Sequence, residues 1–348
     1  MQSVSVIIPT HNRAHLVSDA INSVLDQNAT NCTLEIIVVD DGSTDDTRQV
    51  VSSFGESVKY VYQKNQGAGA ARNRGIDEAT GDWISFLDSD DRWLPDKLSL
   101  QFKVLESFPE YKAIHSNFYT THNGQIIIRK GLEYWVDQSK VDSDVDWNQI
   151  YKKRYNSVDF GITRSGLSFE IFAGNIFNAL LRSCCIACWT LLVRRDCLCK
   201  EIRFSEHLSI GEDYWFFCRL SEQHELLFID CPTVENRAHP GPRITQLQSA
   251  KLLEACLDIF ENIYFPSQSS FRPSDEIILS NCKRVKTELL KEYLKNGERT
   301  KARSLIQSAN NSCGFQVDFT YPIYRIAEWL PFDLTNKLLK LKRLLLGN

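Results

Sequence analysis

No stretch of this sequence is long and apolar enough to span a bilayer. The densest candidates, 171–181 and 183–193, are short and split by Arg182, whereas a spanning helix needs about 20 mostly apolar residues. The first residues, MQSVSVIIPTHNR, have no basic start, and their apolar run is too short for the core of a secretory signal. These absences set the expectation of a cytoplasmic protein. A basic excess is also missing: 40 Lys and Arg stand against 44 Asp and Glu. That balance gives no field for gripping phosphate backbones, so no nucleic-acid partner is expected. Cysteines do not come in an even set, since there are 11. Five of them (Cys184, Cys185, Cys188, Cys197 and Cys199) have spacings that zinc accepts. The intervening IACWTLLVRRD reads instead as a buried strand, whose alternate side chains do not converge on one metal.

What is present is alternation. VSVII at 4–8, LEIIVV at 34–39, VKYVY at 58–62 and WISFL at 83–87 read as short buried strands. Helical spacing follows each of them: at 14–25, from about Asp45, at 68–79, and from Pro95 to about Phe108. Strand–helix repetition with short joints predicts an α/β fold, a Rossmann-like and mostly parallel sheet covered on both faces. Residues 111–165 read as an irregular covering segment. Its aromatics Tyr134, Trp135, Trp147 and Tyr151 either pack as a cover or stack on a sugar ring. Strands are expected again at 186–193 and 226–229, flanking a helix near 212–222, and helices from about 246 onward. The organisation is then 1–110, 111–245 and a C-terminal helical region at 246–348.

Polar clusters sit where the first four strands end, and open α/β sheets bind ligands beyond those ends. PTHNR at 9–13 is either a plain strand–turn–helix joint, with Asn12 as a helix cap, or a set of donors facing a ligand. DDGSTDDT at 40–47 contains turn and cap residues, but these do not account for Asp40 and Asp41. NQGAGAARNRG at 65–75 imitates a dinucleotide fingerprint, with Asp88 lying 19 residues past Gly69. Arg72 occupies the third glycine position, so that reading fails. Glycines Gly67 and Gly69 at a helix start, with Arg72 and Arg74 nearby, suit a phosphate-rich ligand or else a plain surface helix. FLDSDD at 86–91 is no EF-hand, because the sixth and twelfth positions from Asp88 hold Trp93 and Ser99. An Asp-x-Asp turn offering carboxylates to Mg²⁺ or Mn²⁺ fits hard-cation chemistry better. Downstream, Glu212 and Asp213 in GEDYWFF either favour a helix dipole or supply a general base. In NRAHPGPR, His239 is a metal ligand, a phosphate donor or an idle loop histidine.

Taken in order, VSVIIPTHNR, EIIVVDDGSTDDT, NQGAGAARNRG, FLDSDD and GEDYWF closely resemble family-2 glycosyltransferases of the A-type nucleotide-sugar fold, over roughly 3–245. The resemblance implies an inverting transfer of one hexosyl or N-acetylhexosaminyl unit from a nucleoside-diphosphate sugar, most often a UDP-sugar. It implies that Pro9, Thr10 and Asn12 line the nucleoside pocket and that Asp40 or Asp41 meets base or ribose. Gly67, Gly69 and Arg72 would lie near the nucleotide. Asp88 and Asp90 form the Asp-x-Asp element for a divalent cation, Mn²⁺ or Mg²⁺, with His239 at a less regular metal-contacting position. Glu212 and Asp213 match the catalytic acidic pair, with Asp213 as base. The Gln-x-x-Arg-Trp signature of processive synthases is missing, so a non-processive enzyme of surface polysaccharide or glycolipid assembly is expected. The partners are then a nucleotide-sugar donor and a glycan or lipid-linked acceptor. The competing reading is a catalytically inactive nucleotide-sugar-binding subunit.

The last residues form a basic stripe. Leu334, Leu338, Leu341 and Leu345 align on one helical face, flanked by Lys337, Lys340, Lys342 and Arg343. Such a segment, 326–348, either packs on protein or makes peripheral contact with the inner face of a membrane.

Overall fold

The computed structural model describes residues 2–28, 32–136, 145–238 and 249–312. The chain divides into two compact units, 1–241 with 268–272, and 242–267 with 273–348.

The first unit is built on one mixed sheet. Its opening half runs β1 (Gln2–Thr10), α1 (Val17–Leu25), β2 (Cys32–Asp41), α2 (Thr47–Ser52), β3 (Lys59–Gln63), α3 (Ala68–Glu78), β4 (Trp83–Phe86), β5 (Arg92–Trp93) and α4 (Lys97–Ser107). Val4, Val6, Ile7 and Ile8 of β1 are all fully buried. A near-continuous apolar run is what a parallel strand covered on both faces requires. The alternation expected from the sequence is therefore observed, and the strands run longer than their apolar cores.

The second half adds β6 (Ala113–His122), β7 (Gln125–Ile128), α5 (Gly131–Val136), β8 (Lys153–Asn156), β9 (Glu170–Gly174), α6 (Phe177–Leu180), β10 (Leu192–Arg194), α7 (Glu212–Gln223) and β11 (Leu226–Arg237). The strand order is β3-β2-β1-β4-β10-β6-β11-β9-β8, with β5 joined to β11 and β7 to β6. Strand β1 is parallel to β2 and β4, β2 to β3, and β6 to β11. The antiparallel β10 separates β4 from β6. Strands β1, β2, β3, β4, β6 and β11 consequently all end at the same edge, and this edge collects the polar clusters.

Strand β6 corrects the irregular reading of 111–165. AIHSNFYTTH has little apolar periodicity, yet it lies in the middle of the sheet. Its buried polar side chains are paired instead of solvated: His115 Nε2 with the Tyr151 hydroxyl at 2.5 Å, Ser116 with Thr233, and Asn117 with Glu133 at 2.7 Å. Burial pushes His115 down to about 3, so the ring is neutral. The aromatics of this segment are largely core. Trp147 is 4% exposed and Tyr151 1%, and both pack on Phe228. Trp135 packs on Phe118 and Trp189. The sugar-stacking alternative thus fails for Tyr151, whose ring is covered by protein.

The cysteines Cys184, Cys185, Cys188, Cys197 and Cys199 are free thiols. Among the described residues no group of three His, Cys, Asp or Glu could hold a metal ion, which removes the zinc alternative.

The second unit is helical: α8 (Ser249–Ile259), α9 (Asp275–Lys295) and α10 (Arg299–Ser312). Leu289, Tyr293, Leu294 and Ala302 form its small core, with Leu253 and Leu257 packed against it. The segment 326–348 lies outside the described residues. No helix among the described residues is long and apolar enough to cross a membrane.

Candidate active site

The site is assembled at the sheet edge from turns that hold one another. Asn12 adopts φ 52° and does not cap α1, contrary to the helix-cap alternative. Its backbone N–H donates to Ser43 Oγ at 2.8 Å, and its Oδ1 accepts from the Thr44 N–H at 2.8 Å. Asn12 thereby joins the turn after β1 to the turn after β2. Beside it the hydroxyl of Thr10 is buried without a partner among the described residues, an uncommon and costly state for a polar atom. Pro9 precedes it at the end of β1, partly buried.

Asp40 and Asp41 are both buried. Asp40 accepts from the Ser43 N–H at 2.8 Å and from the Tyr60 hydroxyl at 2.7 Å. Asp41 accepts from Gln63 Nε2, from the Gln66 N–H and from the Gly67 N–H at 2.7 to 2.9 Å. Two amides just ahead of α3 are therefore occupied by this carboxylate. Gly69 has a different reason to lack a side chain: a Cβ there would lie 2.3 Å from the Ser205 carbonyl and 3.2 Å from Glu212. It lets α3 approach the start of α7.

Arg72 makes the central link. Its guanidinium is buried, donates to Asp88 Oδ1 at 2.8 Å and to Glu212 Oε1 at 2.9 Å, and lies 5.3 Å from the centre of the Phe204 ring. Phe204 in turn stacks on Phe216 of α7 at 4.3 Å. One arginine thus ties the Asp-x-Asp turn to the acidic pair, 124 residues apart in sequence. Charge-assisted bonds of this kind are short and directional. Burial opposes the charge on Arg72, but Asp88 and its other acidic neighbours hold it protonated, well above its usual range.

Within FLDSDD the three carboxylates separate by role. Asp91 is buried and accepts from Asn236 Nδ2 and from the Arg237 N–H at 3.0 Å. Arg237 Nε also donates to the Asp90 carbonyl at 2.8 Å, and its NH1 to Asp19 Oδ2 at 2.6 Å. The end of β11 therefore clamps the turn. Asp88 and Asp90 are only partly buried. Asp88 Oδ2 is outside the bond to Arg72. Carboxylate oxygens are the donors that Mg²⁺ and Mn²⁺ prefer, so Asp88 and Asp90 fit such an ion. With no three-ligand group among the described residues, part of its shell would come from a ligand or water. His239 lies outside the described residues.

Gly211, at φ 81°, turns the chain so that Glu212 and Asp213 open α7. Asp213 accepts from the Tyr214 N–H at 2.8 Å. Burial, then the neighbouring Glu212, raise its carboxyl to about 7, against the pull of Arg72. A carboxylate tuned near neutrality suits proton abstraction. Cys188 lies close enough to Arg72, Asp88 and Asp213 to feel their charges, and burial pushes its thiol up.

The structure thus brings Asp88, Arg72, Glu212 and Asp213 into one linked group. Asn12, Asp40, Asp41 and Gly67 brace the adjoining turns. Asn236, Arg237 and Asp19 were missed as parts of this edge. Nothing local in NRAHPGPR signals that its arginine reaches back to residues 19 and 90. Only the pairing of β11 with β5 and β6 brings it there.

Comparison with known proteins bears on this arrangement. Residues 5–166 match the family model described as Glycosyl transferase family 2. A Rickettsia felis protein named "Uncharacterized glycosyltransferase" is 34% identical over 230 residues, covering 65% of this chain and 31% of its own length. An Escherichia coli protein named "UDP-Glc:alpha-D-GlcNAc-diphosphoundecaprenol beta-1,3-glucosyltransferase WfgD" is 28% identical over 230 residues, covering 66% of this chain and 73% of its own. The crystal structure of S. aureus TarS 1–349 in complex with UDP-GlcNAc aligns with a TM-score of 0.63 at 17% identity, covering 99% of this chain and 92% of that one. At that identity the likeness speaks for the fold. The chain spans about a third of the length of the first curated relatives it matches. Motif order, family match and A-type fold agree, and residues 5–166 form a family-2 glycosyltransferase domain.

Proposed function

We propose that this glycosyltransferase moves one sugar from a UDP-sugar to an acceptor hydroxyl with inversion, at a divalent-cation site, in the assembly of a surface polysaccharide or glycolipid. The observation that carries the reading is the link Asp88–Arg72–Glu212, with Asp213 raised to about 7 beside it. It joins the Asp-x-Asp turn to the acidic pair, which supports a reading with a cation on the leaving-group side and a base on the acceptor side. The named ligands of TarS and the named donor of the Escherichia coli protein favour a UDP-sugar. The latter's diphosphoundecaprenol acceptor favours a lipid-linked one.

In this mechanism Asp213 takes the proton of the acceptor hydroxyl as that oxygen attacks the anomeric carbon. Glu212, fixed by Arg72, holds the first turn of α7 in place. The buried Thr10 hydroxyl and the braced Asn12 turn line the nucleoside side. A divalent cation held by Asp88 and Asp90, with His239 as a further ligand, would offset the charge of the departing diphosphate. Attack in one step from the face opposite the leaving group inverts the anomeric centre.

The test is UDP release from a panel of UDP-sugars in the presence of Mn²⁺. Asp213→Asn keeps the shape of the side chain and removes the base, and loses about 10²-fold or more in kcat. Equal turnover by the variant would show that Asp213 is not the base. Failure of every donor would leave a binding subunit as the better description.

A further inference from the structure

A second polar cavity lies away from this edge. It has a volume of about 240 Å³ and is walled by Lys130, Glu133, Trp147, Arg154, Glu170 and Asp230 among others. Its position follows from the sheet register. Ile84 of β4 lies opposite Val193, and Val193 lies opposite Ala113 of β6. Residues 113, 115 and 117 therefore face the side of Ile84 and Phe86, and Phe86 packs on Phe216 of α7. Asn117 donates into the cavity wall, to Glu133 Oε2 at 2.7 Å and to Asp230 Oδ1 at 3.0 Å. The cavity thus opens on the same face as the helix that carries Asp213. Three strand spacings separate β4 from β11, roughly 14 Å at about 4.8 Å each.

The chemistry of the walls narrows the ligand. Lys130 pairs with Asp230 at 2.9 Å and with Glu133 at 3.4 Å, and Arg154 pairs with Glu170 at 2.6 Å. Both cations are thus already balanced by carboxylates, which disfavours a phosphate. Glu133 and Asp230 are engaged by Lys130 and Asn117, and Glu170 by Arg154, so these carboxylates are not gathered around a cation. Trp147 gives an aromatic wall and spends its indole N–H on Glu133 Oε1 at 3.1 Å. Burial, then the charge of Asp230, raise the Glu133 carboxyl. With Asp146, the walls carry four carboxyl groups and two cations, so acceptors outnumber donors around the space. The volume lies near the lower end of small-molecule pockets, on the scale of a single ring.

We propose that this cavity binds one saccharide unit of the acceptor, at a distance from the hydroxyl that reacts. The proposal rests on the glycosyl-transfer reading above, and it adds where and how the acceptor is held. Hydroxyl groups both donate and accept, so a sugar satisfies walls of mixed charge without breaking their ion pairs. The position suits an acceptor longer than one residue, with its reacting end at Asp213 and an earlier unit in the cavity.

The experiment uses the full chain and the methyl glycosides of glucose, galactose, mannose and N-acetylglucosamine, titrated by ligand-observed NMR. The expected result is saturable millimolar binding of at least one glycoside. Arg154→Ala and Glu170→Gln, on β8 and β9, each weaken it tenfold or more while UDP binding stays as in the wild type. Binding of none of the four, or binding that survives both substitutions, overturns the proposal. The two readings fail separately. Glycoside binding that depends on Arg154, without UDP release from any donor, removes the reaction and keeps the saccharide site. UDP release without glycoside binding does the reverse.

Discussion

Arg72 carries more of the site than any other single side chain. It is buried, and two carboxylates from distant parts of the chain meet it at 2.8 and 2.9 Å. Removing it leaves Asp88 and Glu212 without their cation, a loss worth several-fold more than that of a surface pair. The effect on pH dependence has a definite sign. With Asp213 as the proposed base, ionisation is required, and kcat/KM is expected to rise with pH and level off near its raised value of about 7. Arg72 pulls that value down, because a nearby positive charge favours the ionised form. Arg72→Gln is therefore expected to move the midpoint of the kcat/KM profile to higher pH as well as lowering its plateau. A lower plateau with an unmoved midpoint would mean that Arg72 serves the donor alone. At this scale the sequence was partly legible. Carboxylates at the end of β4 pointed to Asp88, whereas Asp213, at a helix start where the dipole alone could explain it, was singled out by the family resemblance. The sequence did not disclose that Asp41 would spend its oxygens on the Gln66 and Gly67 amides, since that bond closes only when β2 and β3 lie side by side.

Among the elements, α4 and β6 show where pattern reading stops. Helix α4 was expected from Pro95, and it forms, but its first residue is a fully buried lysine. Lys97 Nζ bonds Gln101 Oε1 at 2.9 Å and Ser85 Oγ at 3.3 Å, and lies 4.2 Å from the centre of the Trp93 ring. No carboxylate among the described residues bonds it, and burial lowers its ammonium well below the usual range. The sign for stability follows. The unfolded chain protonates Lys97 below about pH 10.4, whereas the folded chain does not until far lower pH. Falling pH therefore favours unfolding across that window, by up to about 1.4 kcal/mol per pH unit. Lys97→Met should raise the denaturation midpoint at pH 7, and the gain should shrink as pH approaches 10. A gain that is independent of pH would show the amine to be charged in the fold. Strand β6 fails in the sequence for a related reason. Its buried residues are polar, and their partners Tyr151, Thr233 and Glu133 are supplied by other elements. Hydropathy measures a residue alone and does not register a pairing that makes its burial tolerable.

For the molecule as a whole, the strand–helix alternation of the first hundred residues was enough to give the sheet edge where the polar clusters of those strands gather. What the alternation did not convey is the antiparallel half, where β10 reverses direction between β4 and β6 and β9 and β8 extend the sheet. The basic segment 326–348 has to be argued from its sequence, since it lies outside the described residues. Four leucines on one helical face, with four cations and no acid between Lys337 and Arg343, match an interfacial helix. Each cation near an anionic surface contributes about 1 kcal/mol, so four are sufficient for reversible docking. If the acceptor is lipid-linked, docking confines the enzyme to the plane of its substrate. Deleting 326–348 should then release the protein from anionic liposomes in a flotation assay. It should also raise KM for a lipid-embedded acceptor while leaving UDP binding unchanged. Undiminished flotation of the truncated chain would assign the segment to packing on protein, and the acceptor would have to be met by the sheet edge and the saccharide cavity alone.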